Sequence, residues 1–229
     1  MTPPDRGLPC PPQNPGLRAL VDGKRSWDAR ASEAKQKQGF RGWHERGYLP
    51  HRDSPGLTQF ITYHLADAFP SELRGEWVAL LKIEKESERR KRLETYLDKG
   101  RGLCWLWQPQ LADICQKALL HFNSQRYVLK AWCLMPNHVH ILVQITSVPM
   151  SEILKNWKGY SAWECNRVLC REGDFWADDY WDTYMRDADQ ERRTVRYIEN
   201  NPTKAGLVPL AKNWLWSSAH FRDTHGALQ

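Results

Sequence analysis

The chain has 229 residues, 41% of them apolar, which is enough for one domain of ordinary size with appendages or for two small ones. Lysine and arginine number 33 against 27 aspartate and glutamate, a net charge of +6 that suits a polyanionic partner without requiring one. No run approaches the roughly 18 apolar residues a membrane span needs, and the first residues lack a basic-then-apolar signal, so a cytoplasmic setting without a membrane partner is expected.

Residues 1 to about 40 are rich in Pro, Gly, Arg, Lys and Gln with almost no hydrophobic periodicity and are expected to form a flexible basic arm. From Gly42-Trp43 the character changes, and Leu57 to Leu65 alternates like a first strand after a Ser-Pro-Gly turn. Residues 71 to 97 carry a charged amphipathic pattern (Leu73, Trp77, Leu80, Leu81, then Leu93, Tyr96, Leu97), which predicts two helices inserted at about 71–100 and stopped at Gly100. Leu111, Ile114, Cys115, Ala118 and Leu119 predict a helix over 109–122, and Tyr127 to Met135 a second strand. Pro136-Asn137 then makes a tight turn into a third strand, His138 to Ile145. A helix follows Pro149 with Ser151 as its cap, and the aromatic segment 175–181 leads into a helix from about Asp187 to Asn201, stopped by Pro202 and Gly206. The order strand, helix, strand, strand, helix predicts an α+β fold, a ferredoxin-like antiparallel sheet with helices packed on one face. The domain is expected over 41–222, with a short tail at 223–229.

Six cysteines show no C-x-x-C pair and no regular spacing, and three sit in apolar patterns, so buried free thiols are expected rather than a disulfide framework. Two features carry chemistry. In Met135-Pro136-Asn137-His138-Val139-His140-Ile141-Leu142-Val143 the two histidines share one strand face, a metal-ligand pair in outline. Later, Tyr197 and Asn201 lie four apart on a helix. Two imidazoles with the Asn201 amide oxygen would supply three ligands and leave room for a phosphate, beside which Tyr197 could act as a covalent nucleophile. Ligand softness alone favours zinc or manganese for such a set. Taken singly, each pattern has a plain alternative: strand histidines are readily satisfied by backbone and water, and a helical tyrosine is more often core. Tyr160, Tyr180 and Tyr184 compete for the nucleophile role, but Tyr160 falls on an apolar helix stripe and the other two in an aromatic cluster.

M-P-N-H-V-H-I-L-V, followed by W-K-G-Y-S-A-W-E-C-N-R, F-W-x-x-x-Y-W-D, V-R-Y-I-E-N-N-P-T-K-A-G-L-V and W-L-W-S-S-A, resembles the REP-associated tyrosine transposases, single-tyrosine members of the HUH endonuclease superfamily. The resemblance runs from about Arg41 to Arg222. It implies the HUH endonuclease fold and a Mg²⁺- or Mn²⁺-dependent enzyme that cleaves and rejoins single-stranded DNA at hairpin-forming repetitive extragenic palindromes through a 5′-phosphotyrosine. His138, His140 and Asn201 would then hold the metal and Tyr197 would be the nucleophile. Two rival readings remain, a repeat-hairpin DNA-binding protein without turnover and a hydrolytic metallonuclease. A monomer is expected, with a helix-exchanged dimer as the other arrangement.

Candidate phosphate contacts are Arg41, Arg46, Lys155, Lys158, Arg186, Arg192, Arg193, Arg196 and Lys204, each of which has a solvated surface charge as its simpler reading. Trp43 and Trp176 are candidates either for base stacking or for the core. The chain departs from the family pattern at Thr203, where Val is usual, and at Ala177-Asp178-Asp179 after F-W.

Overall fold

The computed structural model describes residues 39–46, 49–69, 83, 86–178 and 180–228, without the side chains of 43–46, 49–51, 86, 87, 89 and 90. The basic arm and the first of the two inserted helices fall outside the described residues. Six strands and four α-helices are described: β1 (Gly42–Arg46), β2 (Leu49–Asp53), β3 (Thr58–His64), α1 (Glu86–Leu97), α2 (Pro109–Leu120), β4 (Tyr127–Leu134), β5 (His138–Ile145), α3 (Met150–Val168), β6 (Trp181–Tyr184) and α4 (Ala188–Lys204).

β1 and β2 form a separate hairpin, and the main sheet runs β4-β5-β3-β6 with every neighbour antiparallel. Counting β3, β4, β5 and β6 as its four strands, with α2 after the first and α3 after the third, the order across the sheet is second, third, first, fourth. That is the ferredoxin-like arrangement the element order predicts. Alternation along β5 divides the chemistry from the packing. Val139, Ile141 and Val143 join Ile61, Tyr63, Leu111, Cys115, Ile153 and Trp157 in the core under α2 and α3. Leu142 joins Phe60, Ala131 and Cys133 in a second core under Ile198 and Val195 of α4. The one-sided packing therefore holds for α2 and α3, while α4 covers the opposite face, the one that carries the histidines.

Several local expectations are corrected. β6 was not legible: four residues are too short for alternation to register, and the strand exists because Phe60 to Thr62 offer it a free edge. Ser151 does not cap α3. The cap position is Pro149, and the first helical N–H, that of Met150, donates instead to the buried Asp53 carboxylate at the end of β2 (3.1 Å). Pro202 does not stop α4. It sits in the last turn, where the ring costs a single hydrogen bond, and the helix ends at Lys204 before Gly206 turns left-handed (φ 72°).

The W-L-W-S-S-A segment closes the exposed edge of β4: Leu134 N–H donates to Trp216 O (2.9 Å) and Trp132 N–H to Ser218 Oγ (3.1 Å). The described cysteines are all free thiols, with Cys115, Cys133 and Cys165 buried. Among the described residues no helix is long and apolar enough to cross a membrane.

One core network predicts a stability loss. Trp157 Nε1–H donates to Tyr127 Oη (2.8 Å), which donates to Leu119 O (2.7 Å), all in the interior between α2, α3 and β4. Tyr127→Phe strands one buried donor and one acceptor and is expected to cost about 1–3 kcal/mol, read as a lower urea midpoint at unchanged slope.

Candidate active site

Pairing of β5 with β3 sets Thr62 opposite His140 and His64 opposite His138. Both β5 histidines are fully buried, and their Nε2 atoms converge at 3.1 Å. Asn137, in the turn before β5, decides how His138 is protonated. Its Nδ2 gives both protons to backbone carbonyls, Leu97 O (3.2 Å) and Arg101 O (3.1 Å), so its Oδ1 is the atom 2.8 Å from His138 Nδ1 and can only accept. His138 therefore carries its proton on Nδ1 and presents a lone pair at Nε2, the tautomer a metal ligand needs. Thr62 Oγ1 stands 2.8 Å from His140 Nδ1, and a hydroxyl there accepts or donates as required, which lets His140 hold its proton on Nδ1 and leave the lone pair of Nε2 for an incoming ion.

The loop that brings Arg101 O into place depends on Gly102. A Cβ at that residue would lie 2.7 Å from Asp67 O, and its φ of +84° is one that side chains disfavour. Leu103 N–H donates to the Asp67 carboxylate (2.8 Å) and holds the loop down.

From α4, Tyr197 lays its half-buried ring against His140 (centroids 5.7 Å apart) and edge-on to Phe60 (5.9 Å, 82°). Asn201, one turn later and fully buried, donates from Nδ2 to the Tyr197 hydroxyl (3.1 Å), and its Oδ1 is buried with no partner. The Glu94 carboxylate of α1 lies near the phenol. Burial, followed by the Glu94 and Asp98 carboxylates, raises the phenol's pKa, and the bond from Asn201 opposes that rise. The resting phenol is therefore neutral. Lys204, bound to Asp98 (3.2 Å), places its ammonium 5.9 Å from the Tyr197 ring centre.

These residues fit a divalent ion in donor type: two convergent imidazole nitrogens, one with its tautomer fixed from behind, and an orphaned amide oxygen on the facing helix. Among the described residues no three His, Cys, Asp or Glu side chains converge in that way.

Burial lowers the pKa of His138, helped by the neighbouring His140, His64 and Lys204. An unfolded histidine takes up its proton near pH 6.5, whereas folded His138 does so only at lower pH, so the unfolded chain binds more protons and stability falls as pH drops below about 6.5. In EDTA, the melting temperature of the wild type should drop more steeply from about pH 7 to 5 than that of His138→Gln. Parallel curves would contradict the assignment.

The predicted cations separate into two groups. Arg186, Arg192, Arg193, Arg196 and Lys204 are exposed on or beside α4, and Arg192 and Arg196 share a shallow groove with Lys130 and Arg222. Arg192 is ion-paired with Asp189. Arg41, Lys155 and Lys158 line a cleft along α3, beneath the opposite sheet face, and Lys158 donates to Ala177 O (2.6 Å) and Asp178 O (2.9 Å). Arg46 lies in β1 and its side chain is outside the description. Trp176 is buried and donates to Ser161 Oγ (2.9 Å), which makes it core rather than a stacking surface. Tyr160 is 52% exposed, contrary to its expected burial, because it points away from the stripe of Ile153 and Trp157; Tyr180 is buried. Asn137, Thr62 and Glu94 were not foreseen. Asn137 was read as a turn residue, and nothing local marks the other two.

Residues 104–201 match the family model described as Transposase IS200 like, a span that contains both histidines, Tyr197 and Asn201. A Haemophilus influenzae protein named as a REP-associated tyrosine transposase is 29% identical over 101 residues, covering 39% of this chain and 57% of that protein, so the match spans little more than half of the relative. Among solved structures, that of a REP-associated tyrosine transposase bound to a REP hairpin aligns with 77% of this chain and 82% of its own (TM-score 0.47, 18% identity). A Deinococcus radiodurans R1 protein named as a transposase aligns over 69% and 96% (TM-score 0.33, 16% identity).

Proposed function

We propose that this chain cuts and rejoins single-stranded DNA beside hairpin-forming palindromes by transesterification at Tyr197. The observation that carries the proposal is the meeting, on one sheet face, of a helical phenol, an orphaned amide oxygen and two imidazole nitrogens 3.1 Å apart. A purely structural histidine pair has no need of a fixed tautomer aimed at its neighbour, and a purely structural tyrosine has no need of a buried amide bonded to its hydroxyl. The family match over 104–201 supports the same reading.

In this reading the Tyr197 oxygen attacks the scissile phosphorus, the P–O3′ bond breaks, and the 5′ side of the break stays on the protein while a 3′ hydroxyl is released. Attack by a 3′ hydroxyl reverses the step without ATP, because the phosphodiester energy is kept in the protein–DNA bond. Packing of the ring against His140 and Phe60 fixes the line of attack. His138, His140 and Asn201 would hold Mg²⁺ or Mn²⁺, which when bound polarises the phosphate as a Lewis acid. The cations around α4 would position the backbone of the strand near Tyr197 without reading its sequence, and Arg41, Lys155 and Lys158 would contact more distant phosphates.

The test is incubation of a labelled single-stranded hairpin oligonucleotide, drawn from sequence flanking the gene, with the protein and Mn²⁺, followed by a denaturing gel. Label that migrates with the protein is the expected result. Shortened DNA free of protein would mean hydrolysis, and a mobility shift without cleavage would mean binding alone.

A further inference from the structure

On the sheet face away from His138 and His140, a groove of about 950 Å³ runs between the end of α2 and the first half of α3. Its floor is apolar in effect, because the Trp157 indole N–H and the Tyr127 hydroxyl that border it are spent on each other and on Leu119 O. Its walls carry rings. Tyr160 is half exposed there, and Phe122 lies under the Arg126 guanidinium, 3.7 Å from the ring centre.

The charge of the lining is one-sided. Lys117, Arg126 and Lys155 border the groove, no carboxylate does, and among the described residues none of the three is ion-paired. A merely solvated helix surface, in a chain with 27 acidic residues to 33 basic ones, would mix the two signs. Asn156 adds an amide with no hydrogen-bond partner among the described residues, so it offers donors and an acceptor together. Gly159 points to a ligand as well. It stands in the middle of α3, where glycine is less stable than alanine, and a Cβ built on it would meet nothing within 4 Å. Neither conformation nor packing within the chain asks for glycine there, whereas a ligand pressed against the helix does.

Ring faces to stack on, a guanidinium plane, an amide for a base edge, cations for flanking phosphates and a bare stretch of helix for close approach are what unpaired nucleotides require. Paired bases hide their faces. An acidic peptide would use the cations but has no need of the rings.

We propose that this groove binds unpaired nucleotides of single-stranded DNA, with Tyr160 and the Arg126-covered Phe122 as the base platform and Lys117 and Lys155 on adjoining phosphates; this rests on the reading of the chain as a single-stranded DNA enzyme. Tyr127 at the groove pairs with Ile145, at the opposite end of β5 from His138. The eight residues of that strand, roughly 25 Å, and the sheet itself separate the groove from the histidines. It therefore grips DNA well away from the scissile phosphate and acts on affinity rather than on the reaction.

The experiment measures, by fluorescence anisotropy in EDTA, the affinity of the full chain for the hairpin oligonucleotide with a long unpaired extension and for the same oligonucleotide with the extension paired to its complement. Tyr160→Ala and Gly159→Leu are each expected to weaken binding of the unpaired form about 10-fold while leaving the paired form unchanged. Gly159→Leu is also expected to raise the melting temperature, since leucine favours the helix, so a lost fold does not explain its lost affinity. An extension carrying 5-iododeoxyuridine is expected to crosslink under ultraviolet light to Tyr160 or Phe122, read by mass spectrometry. Wild-type affinity in both variants, an equal loss on paired and unpaired forms, or a crosslink confined to α4 overturns the proposal. A wild type that binds neither oligonucleotide overturns the DNA reading itself, whereas adduct formation at Tyr197 with both variants at wild-type affinity overturns this proposal alone.

Discussion

Tyr197→Phe is expected to abolish protein-linked DNA while the protein still shifts the hairpin oligonucleotide with an affinity within a few-fold of the wild type. The substitution removes one oxygen. The ring keeps its contacts with His140 and Phe60, and α4 keeps its seat through Ile198, so neither the fold nor the basic surface around the helix changes. What is lost is the bond from Asn201, whose buried amide must find another partner at a cost of about 1–3 kcal/mol. Among the described residues the rival tyrosines do not stand in for it: Tyr160 lies on α3 beneath the opposite sheet face, Tyr180 is buried and Tyr184 lies on the edge strand β6. A denaturing gel separates the outcomes, since a hydrolytic enzyme would cut as well with phenylalanine as with tyrosine.

The second large effect is expected from Asn137→Ala, which acts on fold and site together. Asn137 is 1% exposed and spends its whole amide on three partners from three places in the chain: Leu97 O at the end of α1, Arg101 O in the following loop, and His138 Nδ1. Alanine leaves the buried imidazole N–H without its partner and removes the amide donor of Arg101 O, while Leu97 O keeps the Gly100 N–H (3.0 Å), a loss of about 1–3 kcal/mol in urea unfolding. The same change frees the tautomer of His138, and removal of such a supporting bond typically weakens metal binding about 10- to 100-fold, measurable by Mn²⁺ titration. Asn137→Asp should do no better, because a carboxylate would face the two carbonyls that the amide N–H groups now satisfy. Undiminished Mn²⁺ affinity in a folded Asn137→Ala protein would contradict the tautomer argument.

The parts of this site that were legible in the sequence are those set by local periodicity. Two-residue alternation places His138 and His140 on one face of β5, and a four-residue step places Tyr197 and Asn201 on one side of α4. The βαββα order likewise carries the ferredoxin-like topology, because two helical crossovers around a hairpin leave few ways to arrange four strands. What was not legible depends on partners far apart in the chain. Glu94 on a charged helix looks like any solvated carboxylate until docking of Leu93 and Leu97 turns it inward. Thr62 becomes a partner of His140 only through the β3–β5 register. Asp53 takes over the capping of α3 from a hairpin whose position no periodicity encodes, and Pro202 survives inside α4 because the lost hydrogen bond falls in the final turn.

Helix α4 rests on β4 and β5 of its own chain, so every group proposed to act at the phosphate comes from a single polypeptide. Such an arrangement holds one severed end at a time. Liberating a segment requires two breaks, so one chain must either be discharged between them or share the task with a second chain, each grasping its own terminus. If the proposed reaction holds, the bookkeeping of strand exchange is set by a count of phenols rather than by the shape of the DNA.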